Sequence, residues 1–185
     1  IEKADIFLVG GGLANTFLKA SGYDIGDSLC QDDKLEVAQE IMLEADKYDE
    51  KFYLPSDVTV ASEISDTAQT LVLPVEDVAG DMKILDIGAR TLDRYIAAIE
   101  KAEIVVWNGP LGLYEKTPFA RGTREIAKAV ARTKATTILG GGDTIDAIKQ
   151  FGHDFIDFDH VSTGGGAMLE FLEGKVLPGI EVVME

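Results

Sequence analysis

The amino-acid sequence predicts an α/β protein with a doubly wound, mainly parallel sheet and helices on both faces. Three observations predict it. Short β-branched and apolar runs alternate with helical apolar spacings along the whole chain. Three of the strand candidates run into triple glycines: Gly10-Gly11-Gly12, Gly140-Gly141-Gly142 and Gly164-Gly165-Gly166. The composition, 46% apolar and 27% charged with no low-complexity tract, is that of a globular domain. With 185 residues there is enough chain for one domain with a substantial core. The predicted arrangement is three-layered and Rossmann-like.

The elements follow in order. Residues 5–9 read as a strand, then the first glycine turn and a short helix through Phe17 and Leu18. From Asp32 to Lys47, Leu35, Ala38, Met42 and Ala45 fall three and four apart, so a helix with a charged outer face is expected. Its acidic residues, Glu36, Glu40, Glu44 and Asp46, read as a solvated face and not as a site. Phe52-Tyr53-Leu54-Pro55 reads as a strand stopped by proline, with Asp57 to Ala61 continuing extended. Thr70 to Val75 and Lys83 to Gly88 are further strands. Leu92, Tyr95, Ile96 and Ile99 mark a helix. Glu103 to Trp107 is the clearest buried strand, ending in the turn signal Asn108-Gly109-Pro110. A helix from Phe119 to Ala131 precedes the strand Thr136–Gly140 and its helix through Gln150. A shorter run around Phe155-Ile156 is expected to be the strand before the third glycine turn, and a last helix runs from Gly165 to Leu172. Gly174 and a Leu177-Pro178-Gly179 turn follow.

Several function classes are excluded. The formal net charge is −16, whereas phosphate-backbone binding needs clustered Lys and Arg, so no nucleic-acid partner is expected. No apolar run approaches the ~20 residues of a membrane helix, so no membrane role is expected. One cysteine, Cys30, allows no internal disulfide and no paired-cysteine metal site, and a cytoplasmic setting fits. Cys30 reads as a small packing residue. The dinucleotide fingerprint fails because Asn15 stands where its third glycine belongs; Walker A and Gly-x-Ser-x-Gly sequences are absent. His153 and His160 lack zinc spacing and read as loop residues. The opening Ile1-Glu2-Lys3-Ala4-Asp5 reads like the tail of a helix, so a fragment of a longer protein is expected.

A strand running through a glycine turn into a helix presents free backbone N–H groups at the positive end of that helix, with no side chain in the way. That is a physical recipe for holding phosphate. A carboxylate beside phosphate needs a bridge, and Mg²⁺ with its oxygen ligands is the usual one, which gives Asp143 a role. The plainer alternative is that Asp143 caps its helix and the glycines only make a tight turn. If the three turns share one sheet edge, they converge on one ligand.

Taken together, the motifs resemble those of the phosphoglycerate kinases. Trp107-Asn108-Gly109-Pro110-Leu111-Gly112-Leu113-Tyr114-Glu115 looks like the family's Trp-Asn-Gly-Pro signature. Gly140 to Thr144, His160 to Ala167, Gly10-Gly11-Gly12 with Thr16-Phe17-Leu18-Lys19, Leu85-Asp86-Ile87-Gly88 and Leu169 to Gly179 match in the family's order. The resemblance runs from Ala4 to about Ile180 and implies the C-terminal, nucleotide-binding domain, residues 1–185, without its N-terminal substrate domain. It implies reversible phosphoryl transfer between 1,3-bisphosphoglycerate and Mg·ADP in glycolysis, by a monomeric full enzyme whose phosphoglycerate is held by the other domain. The isolated chain is expected to be inactive.

Carried over residue by residue, Gly11, Gly12, Leu85 and Leu111 would line the adenine slot, and Glu115 would accept from the ribose hydroxyls. Asn108 and Gly109 would lie near the phosphates of ATP or ADP. Gly141, Gly142 and Thr144 would hold them through a helix N-terminus, with Asp143 toward Mg²⁺. Gly164, Gly165 and Gly166 would face the transferring phosphoryl group. Glu115 as a surface charge and Asn108 as a mere turn residue are the structural alternatives; Trp107 reads as core. The family also has a strand with a Gly-Gly-Ala-Lys turn and a second lysine that this sequence does not contain, and those lysines face the phosphates. Here only Lys19 and Arg90 are candidate substitutes. The family usually has glycine at Ile84, which would crowd the adenine slot, and proline at Ala89. A stand-alone, non-catalytic nucleotide module of the same fold is the alternative to an enzyme half, and a generic oxidoreductase domain is disfavoured by Asn15.

Overall fold

The computed structural model describes residues 4–47 and 51–177. Of the helical tail expected at Ile1–Asp5, residues 1–3 lie outside the described residues, as does the Pro178-Gly179 part of the last turn; Ala4 and Asp5 are not helical and lead into the first strand. Eight strands and six α-helices alternate among them. In chain order they are β1 (Ile6–Leu8), α1 (Gly11–Ala20), α2 (Leu35–Lys47), β2 (Lys51–Tyr53), β3 (Asp57–Ala61), β4 (Leu71–Pro74) and β5 (Lys83–Ile87). There follow α3 (Ala89–Ile99), β6 (Ile104–Asn108), α4 (Arg121–Arg132), β7 (Thr136–Gly140), α5 (Gly142–Gln150), β8 (His160–Ser162) and α6 (Gly165–Leu172).

The pairing is mainly parallel, but it falls into three hydrogen-bonded groups instead of one continuous sheet. β1 pairs with β2, and β6, β7 and β8 lie side by side in that order, all parallel. β3 stands between β4 and β5 and is antiparallel to both. The β3–β4 connection, residues 62–70, is too short to hold the crossover helix that a parallel return requires.

Two expected elements shift. Phe155–Asp157 is a single 3₁₀ turn, begun by Asp154, whose side chain accepts from the Phe155 amide at 2.6 Å. Ile156 is 89% exposed there, so a run that reads as a buried strand is surface, and the strand begins at His160. His160 is therefore a strand residue, not a loop residue. The helix expected from Phe119 begins at Arg121, because Thr117–Phe119 forms its own 3₁₀ turn around the buried Phe119 ring.

Apolar spacing accounts for the packing. Leu92, Tyr95 and Ile99 of α3 and Ile126, Ala127 and Val130 of α4 bury against Trp107, Leu139 and Ile148. On the other side, Phe17 of α1 meets Phe52 of β2 at 4.9 Å between ring centroids, with Ala38 of α2 packed beside them. The Tyr95 hydroxyl, fully buried, lies 2.7 Å from both the Val9 and Tyr53 carbonyls and fixes the ends of β1 and β2 to α3.

The helix starts are treated in two ways. Asp57 of β3 serves α3, accepting from the amides of Arg90 at 3.0 Å and Thr91 at 2.7 Å and from the Thr91 hydroxyl at 2.6 Å. Asp86 of β5 serves α4, accepting from the Gly122 amide at 2.7 Å. The helices that begin in triple glycines, α1, α5 and α6, carry no side-chain cap. Apart from the Gly11 amide, which donates to the Leu111 carbonyl, their first N–H groups meet no side-chain acceptor from their own cap residues.

Candidate functional site

A cleft of about 600 Å³ opens where these elements meet. One wall is the β1 end and the first turn of α1, the floor is β5, and the opposite wall is the β6 end with Pro110 to Leu113. Its size suits a small organic ligand, and its lining is largely apolar. The walls are joined by the Gly11 amide, which donates to the Leu111 carbonyl at 3.0 Å. That approach needs glycine: a Cβ at Gly10 would stand 2.2 Å from Leu111 Cδ1, and Gly11 has φ +61°.

The structure brings Gly11, Gly12, Leu85, Asn108, Gly109 and Leu111 to this one cleft. Ile84 lines it as well, packs against the cluster of Leu18, Ile25, Val58 and Val60, and has its amide held by the Ser28 hydroxyl at 2.8 Å. Trp107 is core and wall at once: it is buried in the main cluster, and its indole N–H donates to the Gly109 carbonyl at 2.8 Å. Ala89 is the first residue of α3, a position where proline fits equally well.

The remaining glycine turns stand next to Asn108. A Cβ on Gly141 would lie 2.4 Å from Asn108 Oδ1, and one on Gly165 would lie 2.7 Å from Gly141 Cα. The starts of α5 and α6 therefore meet backbone to backbone, with Gly141 at φ +91°. Gly142, Asp143, Gly164 and Gly166 are exposed. Thr144 is fully buried and its hydroxyl oxygen accepts from the Gly109 amide at 2.7 Å, which welds the β6 turn to α5.

Glu115 is exposed and does not line the cleft. Beside it, the Tyr114 hydroxyl donates to Asp146 of α5 at 3.0 Å; burial and then Asp146 push this phenol well above its ordinary range. Lys19 pairs with Asp32 at 2.7 Å, and Arg90 donates to the Ser56 carbonyl. Among the described residues no Lys or Arg lines the cleft, and no cluster of three or more His, Cys, Asp or Glu forms a ready-made metal cage. A single carboxylate at Asp143 is a donor set that fits Mg²⁺ only when phosphate oxygens and water complete the shell.

Some contributors are not legible as site residues in the sequence. Asn15, which reads only as a failed fingerprint position, lines the cleft and is almost wholly buried; its Oδ1 has no hydrogen-bond partner in the described structure. Leu29 and Leu113 join the walls from loops. Asp86 sits under the wall; the sequence shows it only as part of the Leu85-Asp86-Ile87-Gly88 motif, with no sign of its contact with Gly112 and Gly122.

Parallel strands that end in glycine turns, with uncapped helix starts next to one cleft, are the arrangement of an open α/β protein, a class in which ligands bind at the carboxyl ends of the strands. The family follows from comparison. The phosphoglycerate kinase family model matches residues 1–175. Two curated phosphoglycerate kinases, from Chloroflexus aurantiacus strains J-10-fl and Y-400-fl, are each 48% identical over 189 residues, covering 100% of this chain and 47% of their own length. The solved phosphoglycerate kinase of Coxiella burnetii superposes with a TM-score of 0.95 at 44% identity, over 99% of this chain and 47% of that one. The enzyme from Pyrococcus horikoshii OT3 gives 0.83 at 34% identity, over 99% and 46%. The chain belongs to the phosphoglycerate kinase family. It spans about half the length of the curated relatives it matches.

Proposed function

We propose that this chain is the nucleotide-binding half of a phosphoglycerate kinase, transferring a phosphoryl group between 1,3-bisphosphoglycerate and ADP in a cytoplasmic, glycolytic setting. The observation that carries the reading is the meeting of the α5 and α6 starts, without side-chain caps, at the end of an apolar cleft. In this reading the base lies between Gly11-Gly12 and Leu85, against Leu111. Glu115 reaches the ribose by rotating in from the rim. The N–H groups after Gly141 and Gly164 hold phosphate oxygens, Asn108 and Gly109 border them, and Thr144 fixes the turn from beneath. Asp143 would hold Mg²⁺, which when bound neutralises charge on the phosphates. No protein nucleophile is required, because phosphoryl transfer rests on positioning and charge stabilisation.

Two features support an incomplete site. The cleft has no cation among the described residues, although phosphoryl transfer needs several. The consecutive residues Phe7 and Leu8 of β1 with Val9 after it, and Val106, Trp107 and Asn108 of β6, line it, and among the described residues β1 pairs only with β2 and β6 only with β7. Neighbouring residues in a strand point to opposite faces, so a run of three marks an unpaired strand edge. The strand with the Gly-Gly-Ala-Lys turn, known from the resemblance, suits this place and would bring the lysines with it. The phosphoglycerate site would come from the other domain.

The test is a calorimetric titration with Mg·ADP. Weak binding is expected, lowered about tenfold or more in Asp143→Ala, a loss of ~1.4 kcal/mol or more. The chain alone gives no turnover with 1,3-bisphosphoglycerate and Mg·ADP. Turnover by the chain alone would overturn the half-enzyme reading, and thermal protection by NAD in place of ADP would overturn the nucleotide assignment.

A further inference from the structure

We propose that Asp86 is a positioning residue for the cleft: from inside the fold its carboxylate joins β5 to the first turn of α4 and so fixes the wall Leu111–Leu113. Asp86 is 3% exposed. One oxygen accepts from the Ile87 amide at 2.9 Å and the other from the Gly122 amide at 2.7 Å. A Cβ at Gly112 would stand 2.3 Å from Asp86 Oδ1, and one at Gly122 would stand 2.2 Å from it. Neither glycine has a positive φ. Space forbids a side chain at both places, not the backbone conformation: the carboxylate is the nearest obstacle at each, joined by the Phe119 carbonyl oxygen at 2.7 Å from a Cβ on Gly112 and by Ile87 Cγ1 at 2.7 Å from one on Gly122.

The residues next to this contact hold the wall itself. Leu85 accepts from the Leu113 amide at 2.8 Å. The hydroxyl of Thr123, fully buried, accepts from the amides of Leu111 at 3.0 Å and Gly112 at 3.3 Å. The pairs 85–86 and 122–123 thus grip residues 111–113 from two sides, with Asp86 as the link between the pairs. The charged groups acting on Asp86 are Arg121 and Arg124 of α4, and β3 places Thr59 opposite it. Burial outweighs both arginines and both amides and pushes the carboxyl up to about 7. Protonation turns one of the two acceptors into a hydroxyl, a weaker partner for an amide. The wall is therefore held by a group that changes charge near neutrality.

The experiment is an amide NMR titration of the ¹⁵N-labelled, ligand-free chain across neutral pH. Ile87, Gly122 and the wall amides Leu111, Gly112 and Leu113 should move together with one midpoint near 7, and Asp86→Asn should flatten all five curves. In that variant the Leu113 amide should exchange with solvent at least about tenfold faster, while Ile138 in β7 keeps its rate. A Gly122 titration with flat wall amides, or unchanged Leu113 exchange, would overturn the proposal. Should the variant fail to fold, the wild-type titration decides alone. Only the link from this wall to a nucleotide rests on the function proposed above; the readout needs no ligand, so failure of Mg·ADP binding leaves it intact.

Discussion

Asp57 and Asp86 show how one residue type takes opposite titrations in one fold. Burial alone would raise Asp57, but hydrogen bonds from Thr91 and the Arg90 amide outweigh it and hold the carboxyl below its ordinary range. Its contribution to stability is present above the unfolded value and is lost as the pH falls through the lower, folded one. Asp86 runs the other way. Between about 4 and 7 the folded chain keeps a proton that the unfolded chain has released, so stability is full at the acid end and declines as pH rises. The full swing is of the order of 4 kcal/mol. Urea unfolding at several pH values should show that decline in the wild type and a flatter profile in Asp86→Asn; equal slopes would refute it. At this scale the glycine turns and Asn108, which the fold brings together, can be read from the sequence because their motifs are contiguous. The sequence conceals the contact of Asp86, whose partner Gly122 lies 36 residues away and looks like any helix-start glycine.

At the scale of elements, the decisive contact is α5 against α6, where the backbones touch through Gly141 and Gly165. Gly165→Ala would drive a methyl group into Gly141 Cα, and neither backbone can yield as a side chain does. We expect a loss of ~1–3 kcal/mol in stability and a loss of Mg·ADP binding larger than that of Gly166→Ala, whose Cβ meets nothing within 4 Å. Equal effects of the two substitutions, compared by denaturant unfolding and calorimetry, would mean that the meeting of the helix starts is not what holds phosphate. Element types were legible wherever periodicity was long, as in α2, α3 and α4. The Phe155-Ile156 run misleads because a short apolar pair has no period, and Asp154 captures the local amides first. The antiparallel placing of β3 follows from loop length, which hydrophobic pattern does not encode.

For the whole molecule, two features oppose each other. The edges of β1 and β6 that have no strand partner among the described residues, with Ile104 at 64% and Val106 at 44% exposure, favour pairing with another chain. The net charge of −16 keeps copies apart. Added salt screens the second and leaves the first. Light scattering should therefore show apparent mass rising with concentration, and more steeply at high ionic strength; a monomer under all conditions would refute it.

Trp107 is the sole tryptophan of the sequence, and it forms part of the cleft wall while its indole N–H is committed to the Gly109 carbonyl. The sequence thus carries a single indole, which excitation at the red edge of its absorption separates from the five tyrosines, and that indole stands in the wall of the cleft. Emission wavelength and quenching by iodide can follow occupancy of the cleft in unlabelled protein, in real time and without interference from a second indole.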